Sequence, residues 1–136
     1  MKTVLKKIKF NQFESFPELN HGISPRCFKN EQGVIEEFSF FGSDGFGETK
    51  GHSEIFLESI GITDSRLISV NQTHSDRIFV LDDAKLTENE TSVISADALV
   101  THIPGKPIGV FTADCLPILI YDPRQKVIGA IHAGRV

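Results

Sequence analysis

Three residues carry the chemistry open to this sequence: His74 in NQTHSD, Cys115 in TADCLP and His132 in IHAGR. Each is a metal ligand by type, and a cysteine beside a histidine also makes a nucleophile with its base. Cys115 and His132 bracket PILIYDPRQKVIGAI, in which Asp122 to Gln125 reads as the turn of a hairpin. A turn there brings the two ends of the hairpin together, because antiparallel neighbours lie about 5 Å apart. One thiol and two imidazoles form a three-donor set. Zinc in such a set keeps one position open, as catalytic sites do, for water or a substrate oxygen. Asp114 is a candidate for orienting a histidine from behind. The same trio also serves metal-free chemistry, with Cys115 as thiolate and a histidine as base. Against both stands a plainer reading of each residue: an inert cysteine between apolar strands, a core histidine, a surface histidine in a polar loop. His21, His52 and His102 have no comparable setting and read as solvated or structural, and Cys27 reads as structural.

The elements that must position these residues are short. Arg66 to Val70, Arg77 to Leu81, Ala98 to Thr101, Ile108 to Thr112, Pro117 to Tyr121 and Val127 to Ile131 read as strands. Their β-branched runs, apolar on both faces, predict a sheet covered on both sides. Asp83 to Thr91 is polar and reads as exposed. Upstream, Thr3 to Phe10 alternates loosely, as an edge strand would. Ser53 to Gly61 is the best helix: Ser53 is placed to cap it, Ile55, Phe56 and Ile60 share a face, and Gly61 ends it. The intervening FSFFGSDGFGETKGH reads as a loop with aromatic anchors. Its GSDGFG lacks the Lys-Ser/Thr of a phosphate-cradling loop. The pattern is β-rich α+β, without the strand–helix alternation of a doubly wound fold.

Composition narrows the classes. The 136 residues fit one domain and are 40% hydrophobic and 24% charged, an ordinary globular balance. With 14 basic and 18 acidic residues the net charge is −4, which argues against nucleic acid or an anionic membrane as partner. Two cysteines make no disulfide scaffold, and no apolar run approaches the roughly 20 residues of a membrane span. MKTVLKKIKF lacks the apolar core and cleavage site of a signal peptide, so a reducing cytoplasm is expected.

From Asn71 to Gly134 the chain strongly resembles the laccase-domain proteins, long described as multicopper polyphenol oxidases. Members are regarded as purine nucleoside phosphorylases with adenosine deaminase activity, and some as peptidoglycan editing factors. NQTHSD matches the family's Gln-x-His-(Ser/Gly), DALVT its Asp-Ala-hydrophobic-(Val/Ile)-Thr, TADCLP its Ala-Asp-Cys-x-Pro, and IHAG the start of its His-Ala-Gly-Trp-Arg-Gly. The resemblance implies an α+β fold of mixed β-sheets with flanking helices, here as a single domain over residues 1–136. It implies His74, Cys115 and His132 as zinc ligands and catalytic residues, with nucleoside and phosphate as partners. HGISPR is similar to the family's His-Gly-Phe-(Ser/Phe)-Thr-Arg, which implies Arg26 as a phosphate-binding residue. The activities implied are phosphorolysis of adenosine or inosine and deamination of adenosine. The alternatives are a metal-free Cys–His hydrolase or amidase of the peptidoglycan-editing type, and an inactive truncated module. Copper is disfavoured: a multicopper cluster needs more histidines than the five present. The family continues past His-Ala-Gly-Trp-Arg-Gly, whereas this chain reads HAGRV. A C-terminally truncated member is therefore expected, with exposed sheet edges and apolar faces and a tendency to associate.

Overall fold

Apolar runs of four to seven residues, each closed by a turn, build the elements that hold the three candidate donors. The computed structural model describes residues 5–40, 51–63, 66–83 and 85–135. The chain divides into two compact units, Met1–Asp64 and Ser65–Val136. GSDGFG and the start of the expected first strand, Thr3 and Val4, lie outside the described residues.

In the first unit, β1 (Cys27–Lys29) and β2 (Ile35–Glu37) pair antiparallel. Asn30 closes their turn: its Oδ1 accepts the backbone N–H of Gln32 at 3.0 Å and of Val34 at 2.9 Å. Helix α1 (His52–Ser59) follows. It ends as predicted, with Gly61 left-handed at φ 87°, Gly61 N–H bonded to the Glu58 carbonyl and Ile62 N–H to that of Leu57. Its start differs from expectation: Gly51 occupies the cap position and Ser53 lies buried inside the helix. Phe56, Leu57 and Ile60 form its buried face. Among the described residues the expected edge strand shows one bridge, Ile8 with Ile23.

His21 is structural rather than solvated. It is buried between Phe10 and Phe13, with ring centroids at 6.1 and 5.0 Å, and its Nε2 accepts the Phe10 N–H at 2.9 Å. Burial, helped by the Lys9 charge, lowers its pKa from the ordinary 6.5. The unfolded chain therefore takes up this proton at a higher pH than the folded unit does. The contribution of neutral His21 to stability is full above about pH 6.5 and is lost as pH falls below it. An NMR titration of the His21 ring is expected to give a midpoint below 6.5, and a midpoint at or above it would contradict this burial.

The second unit is a four-stranded mixed sheet in the order β3-β4-β6-β5. Strands β3 (Ile78–Leu81) and β4 (Ala98–Thr101) pair parallel, so the chain must cross over between them. That crossover carries the one-turn helix α2 (Glu88–Thr91). The sequence reading missed α2, although Thr87-x-x-Glu90 is a capping box whose Glu90 carboxylate accepts the Thr87 N–H and hydroxyl at 2.8 and 2.7 Å. Strands β5 (Leu116–Asp122) and β6 (Val127–Ala133) form the predicted hairpin, in register from Leu116↔Ala133 to Asp122↔Val127. Asp122 Oδ1 accepts from Arg124 N–H at 2.8 Å and Gln125 N–H at 3.1 Å to close it.

One sheet face carries Phe79, Leu81, Leu99 and Ala130 and packs on Ile68, Val70, Ala96, Ile94, Leu86, Ile108 and Val110. Leu81 and Leu99 are fully buried, each contributing about 1.5–3 kcal/mol. The expectation of two covered faces fails here. Ile78, Val80, Leu116, Ile118 and Ile120, all on the opposite face by register, are 37% to 64% exposed. An apolar run shows that a strand tolerates burial on both sides, not that a second layer lies over it.

The segments 66–70 and 108–112 also depart from expectation, since neither is a strand. They meet at a single parallel bridge, Ile68 with Ile108. Ile68 N–H reaches the Pro107 carbonyl at 2.8 Å and Gly109 N–H reaches that of Ile68 at 3.0 Å. Pro107 has no N–H to extend the ladder. On its other side the same segment bridges Asn71 to Ser95.

Candidate metal centre

His74 lies in the loop that leaves this bridged segment, and two polar side chains fix that loop. Gln72 behaves like a strand residue turned sideways: its Nε2 donates to the Phe111 carbonyl and its Oε1 accepts the Phe111 N–H, both at 2.7 Å. This ties the His74 loop to the chain that runs on to Cys115. Asp97 fixes it from the other side. Its carboxylate accepts the backbone N–H of Thr73 (3.2 Å), His74 (3.0 Å) and Ser75 (2.6 Å), together with the Ser75 hydroxyl (2.8 Å). His74 itself is left-handed, with φ 58°, a conformation uncommon outside glycine.

Asp97 also meets His132, its Oδ1 lying 2.8 Å from His132 Nδ1. The register explains this contact. Ala98 pairs with Ile131, so Asp97 falls opposite His132, whose N–H bonds the Asp97 carbonyl at 2.7 Å. Burial at 2% exposure pushes the Asp97 carboxyl up, but hydrogen bonds from Ser75, His132 and Thr73 outweigh it. They hold the group well below the ordinary carboxylate range. The orienting carboxylate expected at Asp114 is therefore Asp97. Asp114, one residue before Cys115, is exposed.

Cys115 directly precedes β5, and the pairing of Leu116 with Ala133 places it alongside the end of β6, where His132 sits. Cys115 Sγ is 3.8 Å from His74 Nε2, and the His74 and His132 rings stand edge to face at 4.8 Å. The three donor atoms lie within 4.8 Å of one another. Tetrahedral zinc bound by nitrogen and sulfur holds its donors about 3.4–3.6 Å apart, so small side-chain rotations suffice. The donor chemistry fits the ion: a soft thiol, two imidazoles, and a carboxylate behind one of them. Burial grades from His132 through Cys115 to exposed His74, so the cluster faces solvent on the His74 side.

Arg26 belongs to the first unit, where it is 90% exposed and 3.8 Å from Glu37. Asp97, Gln72 and Gly134 are the site residues that sequence reasoning did not single out. Asp97 stood in DALVT and Gly134 in IHAG, both read as markers of likeness rather than as groups with a task.

A mixed α+β sheet that gathers one thiol and two imidazoles at the end of a hairpin defines a candidate metalloprotein. Residues 43–136 match the multi-copper polyphenol oxidoreductase laccase family, and the chain belongs to that family. It is 25% identical over 135 residues to a purine nucleoside phosphorylase of Bacteroides thetaiotaomicron, covering 95% of this chain and 50% of the relative. A purine nucleoside phosphorylase of Streptomyces coelicolor is 34% identical over 102 residues, which are 74% of this chain and 41% of the relative. Adenosine deaminase RL5, from an unknown prokaryotic organism, is 38% identical over 79 residues, 55% of this chain and 30% of the relative. The chain thus spans half the length, or less, of these relatives. Among solved structures, the hypothetical protein YfiH of Bacillus licheniformis superposes with a TM-score of 0.52 at 26% identity, covering 61% of this chain and 33% of that one. YlmD of Geobacillus stearothermophilus, at 22% identity and a TM-score of 0.50, covers 61% and 32% and shares the fold. No helix among the described residues is long and apolar enough to cross a membrane.

Proposed function

We propose that this chain is the donor-bearing, N-terminal portion of a zinc-dependent purine nucleoside phosphorylase with adenosine deaminase activity, folded as one laccase-type domain and working in the cytoplasm. The observation that carries the reading is the convergence of His74, Cys115 and His132 within 4.8 Å. The names of the relatives support the substrate class, a purine nucleoside with phosphate and, for one of them, adenosine.

His74, Cys115 and His132 would hold the ion. When bound, zinc supplies a Lewis-acid centre with one coordination position to spare. Cys115 contributes the anionic donor, and His132, backed by Asp97, the rigid one. Exposed His74 closes the set from the side that substrate approaches. Arg26 offers a permanent positive charge for phosphate. Among the described residues no further histidine joins the trio to build a multicopper cluster: His21 packs on Phe10 and Phe13, His52 on Phe28 and Phe38, and His102 is exposed.

A metal-free Cys–His hydrolase is the second reading, favoured by the 3.8 Å between Cys115 Sγ and His74 Nε2. The test combines two measurements, metal analysis of this chain and turnover by an intact version that carries the remaining length of its relatives. After chelation and dialysis against zinc, elemental analysis is expected to find stoichiometric zinc. Incubation with adenosine and inorganic phosphate is expected to yield adenine, ribose 1-phosphate and inosine. A zinc-loaded protein that forms none of these products rejects the activity, and a protein that retains no zinc rejects the centre.

A further inference from the structure

We infer that Asp97 is the positioning residue of this centre: it fixes His132 in the tautomer that presents Nε2 and holds the His74 loop in its left-handed turn, so the donor set stands assembled before any ion arrives. The inference rests on the reading of the trio as a metal centre, and it concerns a residue that touches none of the reacting groups.

The hydrogen bonds dictate the tautomer. Oδ1 of Asp97 faces the His74 N–H at 3.0 Å and His132 Nδ1 at 2.8 Å. Oδ2 faces the N–H of Thr73 and Ser75 and the Ser75 hydroxyl. Three of these groups are backbone N–H and can only donate, so the carboxylate acts as acceptor throughout. His132 Nδ1 must then carry the proton it shares with Oδ1. A neutral imidazole has one N–H, which leaves the lone pair on Nε2, the atom that remains for an ion.

The same two oxygens set the loop. Three consecutive N–H groups, from Thr73 to Ser75, converge on one carboxylate only if the chain turns sharply between them, and His74 at φ 58° supplies that turn. A left-handed conformation is disfavoured for a non-glycine residue, and hydrogen bonds to a charged acceptor offset that strain. Asp97 is itself anchored through its backbone. Its N–H bonds the Arg77 carbonyl at 3.0 Å and its carbonyl accepts the His132 N–H at 2.7 Å, which locks it between the approach to β3 and strand β6.

Asp97→Asn tests this with little change of shape. An amide has one acceptor oxygen and one NH2 group. Either the NH2 meets the loop N–H groups, or it faces His132 Nδ1 and forces the proton onto Nε2. The expected result is a zinc affinity about 10–100-fold weaker, measured by competition with a chromophoric chelator. In the metal-free native protein, 15N NMR of the imidazoles is expected to show His132 protonated at Nδ1, and this readout needs no variant to fold. Protonation at Nε2 in the native protein would overturn the inference, as would native zinc affinity in a folded Asp97→Asn protein. If the native protein shows the Nδ1 tautomer yet binds no zinc, the metal reading fails while the tautomer assignment to Asp97 stands.

Discussion

Cys115→Ser is expected to weaken zinc binding by more than about 100-fold, roughly 3 kcal/mol, while leaving the fold in place. Loss of a residue behind a ligand already costs up to about 100-fold, and loss of a ligand costs more. The thiolate is also the anionic and softest donor of the set, and a serine hydroxyl stays protonated and neutral at pH 7. Stability is expected to change by less than about 1 kcal/mol. Cys115 is only half-buried, and its Sγ lies 3.8 Å from His74 Nε2. Cobalt substitution gives the direct measurement: the native protein should show thiolate-to-cobalt charge transfer and the variant should not. A Cys115→Ser protein with undiminished metal affinity would remove Cys115 from the donor set and leave the nucleophile reading in possession of it.

Gly134→Ala is expected to break the same centre without touching a donor. A Cβ at Gly134 would fall 2.6 Å from His74 Cδ2, 3.3 Å from His74 Nε2 and 3.2 Å from His132 Cε1. Something must move, and the two rings are not equally free to do so. His132 is buried at 6% exposure and anchored to Asp97, whereas the His74 ring is exposed. His74 therefore swings outward, and a three-donor set becomes a two-donor set. Metal affinity should drop by at least about 100-fold, with the urea midpoint nearly unchanged because no core contact is lost. A crystal structure of the variant should show His74 in a new rotamer. Native affinity together with an unmoved His74 would mean that the backbone yields at Gly134 and that the glycine is not required.

Much of the hairpin was legible because its information is local. LPILIYD and VIGAIHA are apolar and β-branched, and Asp122-Pro123 between them specifies a turn by its own side chain. Strand β4 coincides with the expected Ala98 to Thr101, and Gly61 ends α1 where a left-handed residue is needed. Elsewhere tertiary context overrode the pattern. RLISV and IGVFT look as strand-like as ALVT, yet they meet at a single bridge beside Pro107, and Phe111 gives its N–H and carbonyl to the Gln72 side chain. The exposed face of Ile78, Val80 and Ile120 has the same composition as the buried one, because hydropathy records what a side chain tolerates and not what lies opposite it.

From its residues alone the chain specified an α+β, β-rich framework, a hairpin bringing Cys115 toward His132, and a set of motifs that identify its family. His74 was attached to that pair only by resemblance. Its approach depends on Asp97 and Gln72, whose bonds span 22 to 39 residues of sequence. Such bonds leave no periodicity and no local signature. They exist only once β4 has paired with β6 and Asp97 has come to lie opposite His132, so the tertiary structure alone decided how the third donor is held.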